Sequence, residues 1–369
     1  MAPKPVGSGI TNKPGNGMKT KTGIYIHIPF CRRECFYCHF VKRKYDPELA
    51  DRYIDALQKE IQLRAAGDYV IDTIYIGGGS PSVLKEKQLS SIAGALFKHF
   101  TIEDQAEFTI EVNPEDVSRE KLLALREMGI NRLSIGTQSF RAEDLSYLKR
   151  THGVRQSLSA VECALDIGFT NINVDFIISL PGQNRDTLED SFSVLKRYTV
   201  PHVSAYLLED VEEGEEKDTR DNDLYFFTID YLAGLGYVHY EVSNFCRDGF
   251  QARHNLKYWK NKGYIGMGLS ASGFETGMDY RNARSFNGYF KKLSAGELPV
   301  VETRRRDGDL RRIVTGLRLM EGISGRCFEK YPRQLDFLLS NRLLVRRGDK
   351  ISVASGKILL LNEILGYFL

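Results

Sequence analysis

Cys31, Cys35 and Cys38 stand near the amino end, in the run HIPFCRRECFYCHF. The C-x3-C-x2-C spacing supplies three thiolates where a closed metal site takes four, so the fold must present a loop with one coordination position left open. A 4Fe-4S cluster is normally held by one thiolate per iron. Three thiolates leave one iron free for a small chelating molecule, and the amino and carboxylate groups at the methionine end of S-adenosylmethionine can supply that chelate. A structural zinc is the competing use of such a run. It would need a fourth Cys or His, and His39 is too close to Cys38 to be a comfortable ligand. Disulfides are a further alternative, but Cys163, Cys246 and Cys327 are scattered singly and read as small buried hydrophobes.

The flanking sequence predicts where these cysteines sit. Gly23 to Pro29 is a short β-rich run ended by proline, which puts the thiols on a loop just beyond a strand. From there helix-type and strand-type periods alternate. Helices are expected around Glu48–Ala66, Glu86–Phe100, Arg119–Met128, Gln156–Ile167, Asp186–Tyr198 and Leu224–Leu235. Strands are expected at Asp72–Ile76, Phe108–Val112, Arg132–Ile135, Ile172–Ile178 and Val203–Leu208. Six strand-then-helix units imply an α/β fold, a parallel sheet with helices outside, curled as a partial barrel over 23–236. Residues 1–22, rich in Gly, Pro and Lys and without the apolar centre of a secretory leader, are expected to be a disordered tail. An extension of the barrel is expected over 237–300. From about Val301 short helical patterns and the hairpin LLVRRGDKISV predict a small helical, winged-helix-like domain over 301–369, covering the barrel mouth or docking a partner.

Polar residues at the carboxyl ends of the strands are the natural site candidates, because strand-to-helix loops converge there. Gly77, Gly78 and Gly79 remove side chains after the second strand, so backbone groups can approach a ligand, and Ser80 follows. Glu111 ends the third strand in IEVNP, where its carboxylate can pair with ribose hydroxyls or form a salt bridge across the mouth. Gln138 ends the fourth. Asp175 lies within the fifth, and a carboxylate inside an otherwise apolar strand is expensive unless paired or bound. Arg150, in KRTHG, can partner the cofactor carboxylate or Asp175, and the Tyr37 ring can cover a cluster or stack on an adenine.

The phrase YIHIPFC-x3-C-x-YC-x-F resembles the cluster loop of radical SAM enzymes, in particular their coproporphyrinogen oxidase-like branch, and similar segments recur along nearly the whole chain. The resemblance implies a (β/α)6 partial barrel, a 4Fe-4S cluster on Cys31, Cys35 and Cys38, and bound S-adenosylmethionine. It implies cofactor contacts from Tyr25, Tyr37, the Gly77–Ser80 segment, Glu111, Gln138, Arg150 and Asp175, and more loosely from Glu209 and Ser272. It also implies an electron donor.

Within that branch two classes compete: an oxygen-independent coproporphyrinogen III oxidase of the HemN type, and a HemW-type haem chaperone that binds haem, or another tetrapyrrole, and delivers it to an acceptor protein. The oxidases carry an additional Cys where this chain has Phe40, and a longer region before the cluster strand. The pair YEVSNF (240–245) and HNLKYW (254–259) resembles the chaperone group. All three features favour the chaperone. Two departures stand beside them: His39 where the family usually has Asp, and LSASG (269–273) without the histidine of its GAHS-like segment. His254 is the first candidate for a haem ligand, with Trp259 packed nearby; the alternative is that it ties a loop to the barrel mouth.

The bulk properties agree with this class. A net charge of +3 over 51 basic and 48 acidic residues gives no reason to expect nucleic acid, and no apolar run approaches a membrane span. Unpaired thiols and an oxygen-sensitive cluster point to the cytoplasm.

Overall fold

The computed structural model describes residues 20–208 and 214–369. Glu209, and all but the last three residues of the expected tail, lie outside the described residues. Those last three belong to the first strand, so the barrel begins earlier than the expected boundary.

Six strand–helix units run along the chain as the periodicity predicts. They are β1 (Thr20–Ile28) and α1 (Pro47–Arg64), β2 (Tyr69–Gly78) and α2 (Glu86–His99), and β3 (Thr101–Val112) and α3 (Arg119–Glu127). Then come β4 (Arg132–Gln138) and α4 (Val154–Ile167), β5 (Asn171–Ile178) and α5 (Arg185–Phe192), and β6 (His202–Leu207) and α6 (Glu215–Gly234). Helix starts follow capping chemistry. Asp46 accepts from the Leu49 amide at 2.8 Å with Pro47 in the first turn, and Gly168 closes α4 at φ +90°.

The strands continue beyond the six. After β7 (Val238–Glu241), β8 (Asn244–Cys246) and α7 (Arg253–Trp259) come β9 (Tyr264–Met267), β10 (Ser272–Glu275), β11 (Met278–Asn282), α8 (Phe286–Ser294) and β12 (Val300–Arg305). All twelve lie in one sheet ordered β12-β11-β10-β9-β1-β2-β3-β4-β5-β6-β8-β7. The seven strands from β9 to β6 are parallel, and the strands at both flanks are antiparallel. The two end strands do not pair with each other, so the barrel stays open.

Each central strand has two unlike faces. The row Ile24–Ile74–Phe108 is buried under the helices, with Ile110–Leu133–Ile172 continuing it. The other face carries Tyr25–Tyr75–Thr109, then Glu111–Ser134–Asn173–His202, then Asp175–Ser204. Period-two alternation therefore puts the apolar core outside the sheet and a hydrogen-bonding interior on its concave side.

Strand β12 corrects the expected domain boundary. VVETRR is exposed over most of its length and has only two apolar residues, so it reads as a change of character, yet it pairs with β11 as the sheet edge. The C-terminal unit therefore begins near α9 (Gly308–Gly316). It adds helices at Pro332–Ser340 and Leu361–Gly366 and a three-stranded antiparallel sheet whose hairpin turns at Arg347-Gly348-Asp349, as expected. Its own core gathers Ile313, Leu317, Phe328, Leu338 and Ile364. It packs on α7 and the β7 edge, through Gly316 against the Trp259 carbonyl and the amides of Val242 and Met320, and contributes nothing to the cysteine-lined cavity. The expectation that it covers the mouth is corrected accordingly.

Glu60, fully buried on α1, ties the extension to the barrel. It accepts from Arg64 Nε (2.9 Å), the Gly268 amide (2.8 Å), Asn282 Nδ2 (2.8 Å) and Tyr289 Oη (2.7 Å). Removing one member of such a network leaves the others unpaired in a dry interior. Glu60→Ala is expected to lower unfolding free energy by about 3 kcal/mol or more, measured by urea denaturation; a loss within about 0.5 kcal/mol would mean that the extension is held by packing alone.

Candidate functional site

The cysteine loop is fastened at its base. Phe30–Cys31 pairs with Arg43–Lys44, and Tyr45 donates its amide to the Cys31 carbonyl at 2.8 Å. Gly79 and Ser80 donate theirs to Ile28 (2.8 Å) and Phe30 (2.7 Å), joining the end of β2 to the loop. His27 Nε2 bonds to the Val41 carbonyl at 2.8 Å, and Lys42 reaches the Cys38 carbonyl.

The glycine triplet is required position by position. A Cβ on Gly77 would fall 2.6 Å from Glu111 Oε1, and one on Gly78, at φ +110°, would meet His27 Nδ1 at 2.4 Å. On Gly79 it would lie 2.7 Å from the Phe30 carbonyl and 3.0 Å from Cys31 Sγ. The amides of Gly79 and Ser80 are thus occupied within the protein.

A cavity of about 170 Å³ lies between this loop and the strand ends. Cys31, Cys35 and Cys38 border it with Tyr37, Gly78, Gly79 and Ser80, and its other wall brings Glu111, Gln138, Arg150 and Asp175. Eleven of the expected residues converge here. Gly77 backs the wall without lining it. Tyr25 lies a layer beneath, its hydroxyl 3.0 Å from His27 Nδ1. Ser272 lines a different cavity, among Asp279, Arg304 and Arg311.

Hydrogen bonds fix the wall. Glu111 accepts from Tyr75 Oη (2.8 Å) and the Gly78 amide (3.0 Å), and Asp175 from Asn173 Nδ2 (2.7 Å) and Ser134 Oγ (3.2 Å). Arg150 donates to Asn113 Oδ1 (2.7 Å), the Gly136 carbonyl (3.3 Å), Tyr37 Oη (3.4 Å) and Cys35 Sγ (3.7 Å), while its Nε is buried without a partner among the described residues. Gln138 holds φ +65°, a left-handed conformation rare outside glycine. Asn113, whose Nδ2 donates to Ser80 Oγ at 2.7 Å, is the main residue that sequence reasoning missed. Its place two residues after Glu111 in IEVNP was the available signal.

Burial sets the electrostatics. It pushes the Cys31 thiol up to about 11, against the opposing hydrogen bond from Ser80 and with a further rise from Cys38 and Cys35. It lifts Glu111 to about 7 and also raises Asp175. Among the described residues no group of three or more His, Cys, Asp or Glu side chains surrounds a single metal-ion position; the three thiols border a shared space instead. That donor set, together with the close approach that Gly79 allows, fits a 4Fe-4S cluster.

His254 is elsewhere. The amides of Arg253 and His254 bond Glu107 (3.0 and 2.9 Å), which pairs with Thr73 a layer below Tyr75 and Thr109, so α7 plugs the barrel on the side away from the cysteines. The ring is fully buried, one nitrogen 2.9 Å from Thr73 Oγ1 and the other 2.8 Å from Tyr258 Oη. Burial, with Lys257 and Arg132, depresses its pKa to about 3. With both nitrogens engaged it has none to offer an iron, and what it ties is the barrel base and not the mouth.

Comparison with known proteins agrees with this geometry. Residues 25–195 match the Radical SAM superfamily. The heme chaperone HemW of Lactococcus lactis is 33% identical, with 95% of this chain and 98% of that protein aligned. The heme chaperone HemW of Bacillus subtilis is 32% identical over 94% and 98%. The chain belongs to the HemW family of radical SAM proteins. The Escherichia coli coproporphyrinogen III oxidase (HemN) superposes with a TM-score of 0.81 over 96% of this chain and 91% of that one. At 23% identity that likeness is one of fold. For a HemW-family chain, the radical SAM match implies a 4Fe-4S cluster and S-adenosylmethionine, in keeping with the three-thiol cavity.

The Glu111 environment gives a pH-dependent prediction. With its pKa raised from 4.5 to about 7, the folded state holds this proton longer than the unfolded chain. Stability therefore falls as pH rises from about 4.5 through 7, by on the order of 3 kcal/mol. Glu111→Gln is expected to lack that fall, so its stability relative to the parent improves between pH 4.5 and pH 8. Denaturation of both proteins at the two pH values, without added S-adenosylmethionine, checks this; a pH-independent difference would place the carboxyl at its ordinary pKa.

Proposed function

We propose that this chain is a haem-binding and haem-transfer protein that carries a 4Fe-4S cluster on Cys31, Cys35 and Cys38 and binds S-adenosylmethionine beside it. The observation that carries the reading is the near end-to-end alignment with heme chaperones of the HemW family. Phe40, where the oxidases have a further Cys, supports it and is 62% exposed at the cavity edge. An acceptor protein and an electron donor are the implied partners. Among the described residues no helix is long and apolar enough to cross a membrane; we place the protein in the cytoplasm because its thiols and cluster need a reducing compartment.

When bound, the cluster can supply one electron to the sulfonium of S-adenosylmethionine. The chain's own residues position and shield. The three thiolates would hold the cluster, and the glycines let the end of β2 lie against Glu111, His27 and the loop backbone, where any Cβ would collide. Glu111 and Asp175 present carboxyl oxygens to hydroxyl or amino groups, each held by two donors. Arg150 places its guanidinium between the Cys35 side and Asn113, where it can meet a carboxylate. Gln138 closes the far wall.

Changing Cys31, Cys35 and Cys38 together to Ala is expected to abolish bound iron and brown colour; full retention of iron would remove the basis of this reading. The cluster-reconstituted protein, assayed anaerobically with S-adenosylmethionine, reductant and coproporphyrinogen III, is expected to make no protoporphyrinogen and to bind haem stoichiometrically. Turnover without haem binding would make it an oxidase.

A further inference from the structure

The cargo needs a place, and the cysteine-lined cavity is the one that the proposed cluster and S-adenosylmethionine would occupy. The cavity near Ser272, about 270 Å³, has no free iron ligand, since its Tyr280 hydroxyl is hydrogen-bonded to the Gly266 amide at 2.9 Å. A third cavity, of about 480 Å³, opens at the base of the barrel between the end of α7 and the C-terminal unit. It falls within the range of pockets that take cofactor-sized molecules.

Its walls are of two kinds. Trp259, Leu319, Ile323 and Cys327 give an apolar and aromatic lining with one thiol, and the Trp259 indole N–H is buried without a partner among the described residues. The rim is cationic: Lys260, Arg312, Arg326 and Lys350 stand against Asp309 and Glu321. Four cations and two carboxylates leave two positive charges, the complement of a molecule with two carboxylates. Glu321 is shared by Lys260 (3.2 Å) and Lys350 (2.7 Å), and Arg326 enters no ion pair among the described residues.

We propose that this cavity seats the haem cargo, with the tetrapyrrole against Trp259, its two propionates on the rim cations, and Cys327 Sγ as axial ligand to ferric iron. The inference rests on the haem-transfer reading and locates its site. Ligation breaks the thiol S–H bond, forms an Fe–S bond in place of hemin's axial water, and releases that water and one proton to solvent, with no change of oxidation state. An apolar slot, a soft anionic ligand and a charged rim are together what an iron tetrapyrrole requires. The site lies at the opposite end of the barrel from the cluster, so cargo and cluster occupy separate compartments of one chain.

Hemin titrated into the full-length, cluster-reconstituted protein tests this, and reconstitution keeps Cys31, Cys35 and Cys38 from acting as stray ligands. Trp259 is the sole tryptophan, so quenching of its fluorescence counts hemin bound to the chain, and the variants locate it. One equivalent of hemin is expected to quench it and to give a thiolate-type absorption spectrum. Cys327→Ala is expected to lose that spectrum and bind at least ten-fold more weakly. Arg312→Glu/Arg326→Glu, both at exposed positions with Arg312 paired to Asp309 at 3.3 Å, is expected to weaken binding about ten-fold with the spectrum kept. Parental affinity and spectrum in both variants would place the haem elsewhere and overturn the assignment, leaving the haem-transfer reading standing. Failure of the parent protein to bind hemin at all would overturn both.

Discussion

The molecule depends on one division of labour within its parallel strands. Alternate residues turn to opposite faces, and here one face of each strand is aliphatic while the other is made of Tyr, Thr, Ser, Asn, Asp and Glu. The aliphatic face packs under the helices and supplies most of the hydrophobic driving force. The polar face curls inward, away from bulk water, where each donor and acceptor needs a partner. Tyr75 with Glu111, Asn173 with Asp175, and His202 with both Asn173 and Tyr240 are the partnerships that result. A barrel interior built this way is already a polar cavity wall, and the site is its uppermost layer.

The cluster loop is then a matter of attachment. Eleven residues separate Cys31 from Arg43, too few and too polar to hold a fixed shape alone. Backbone bonds from Gly79 and Ser80, and the reach of His27 to Val41, transfer the rigidity of β1 and β2 to the thiols. The glycines serve this attachment as much as any ligand, because side chains at 77–79 would force the strand end away from both Glu111 and the loop.

Much of this was legible in the sequence because it is local. The alternation of periods gave the six units in order, though the third strand begins seven residues and the sixth helix nine residues before its expected start, and the three thiols, the glycine triplet, Glu111 and Asp175 announced themselves by type and place. What escaped was non-local. The Glu60 network unites residues more than two hundred positions apart, through Gly268, Asn282 and Tyr289, and no window of sequence contains it. His254 read as a free ligand because its partners, Thr73 and Tyr258, come together only when α7 closes the barrel base. Ser272 sits in a strand antiparallel to both of its neighbours, and direction of pairing is not written in local pattern. The edge strand Val300–Arg305 was missed for the opposite reason: an exposed strand shows little alternation to read.

The parallel pairing of Thr20–Ile28 with Tyr264–Met267 also bears on how the protein is made. Of the described strands, the one that carries the cysteine loop is synthesised first, yet it is interior to the finished sheet. Its second neighbour is synthesised some 240 residues later, roughly 10 to 50 seconds at ordinary elongation rates of about 5–20 residues per second. Throughout that interval one edge of the cluster-bearing strand is open and the thiols are attached to a half-built scaffold. The bonds that fasten the loop itself all lie within residues 27–80, so the scaffold for the thiols is synthesised long before the strand that closes the sheet beside it.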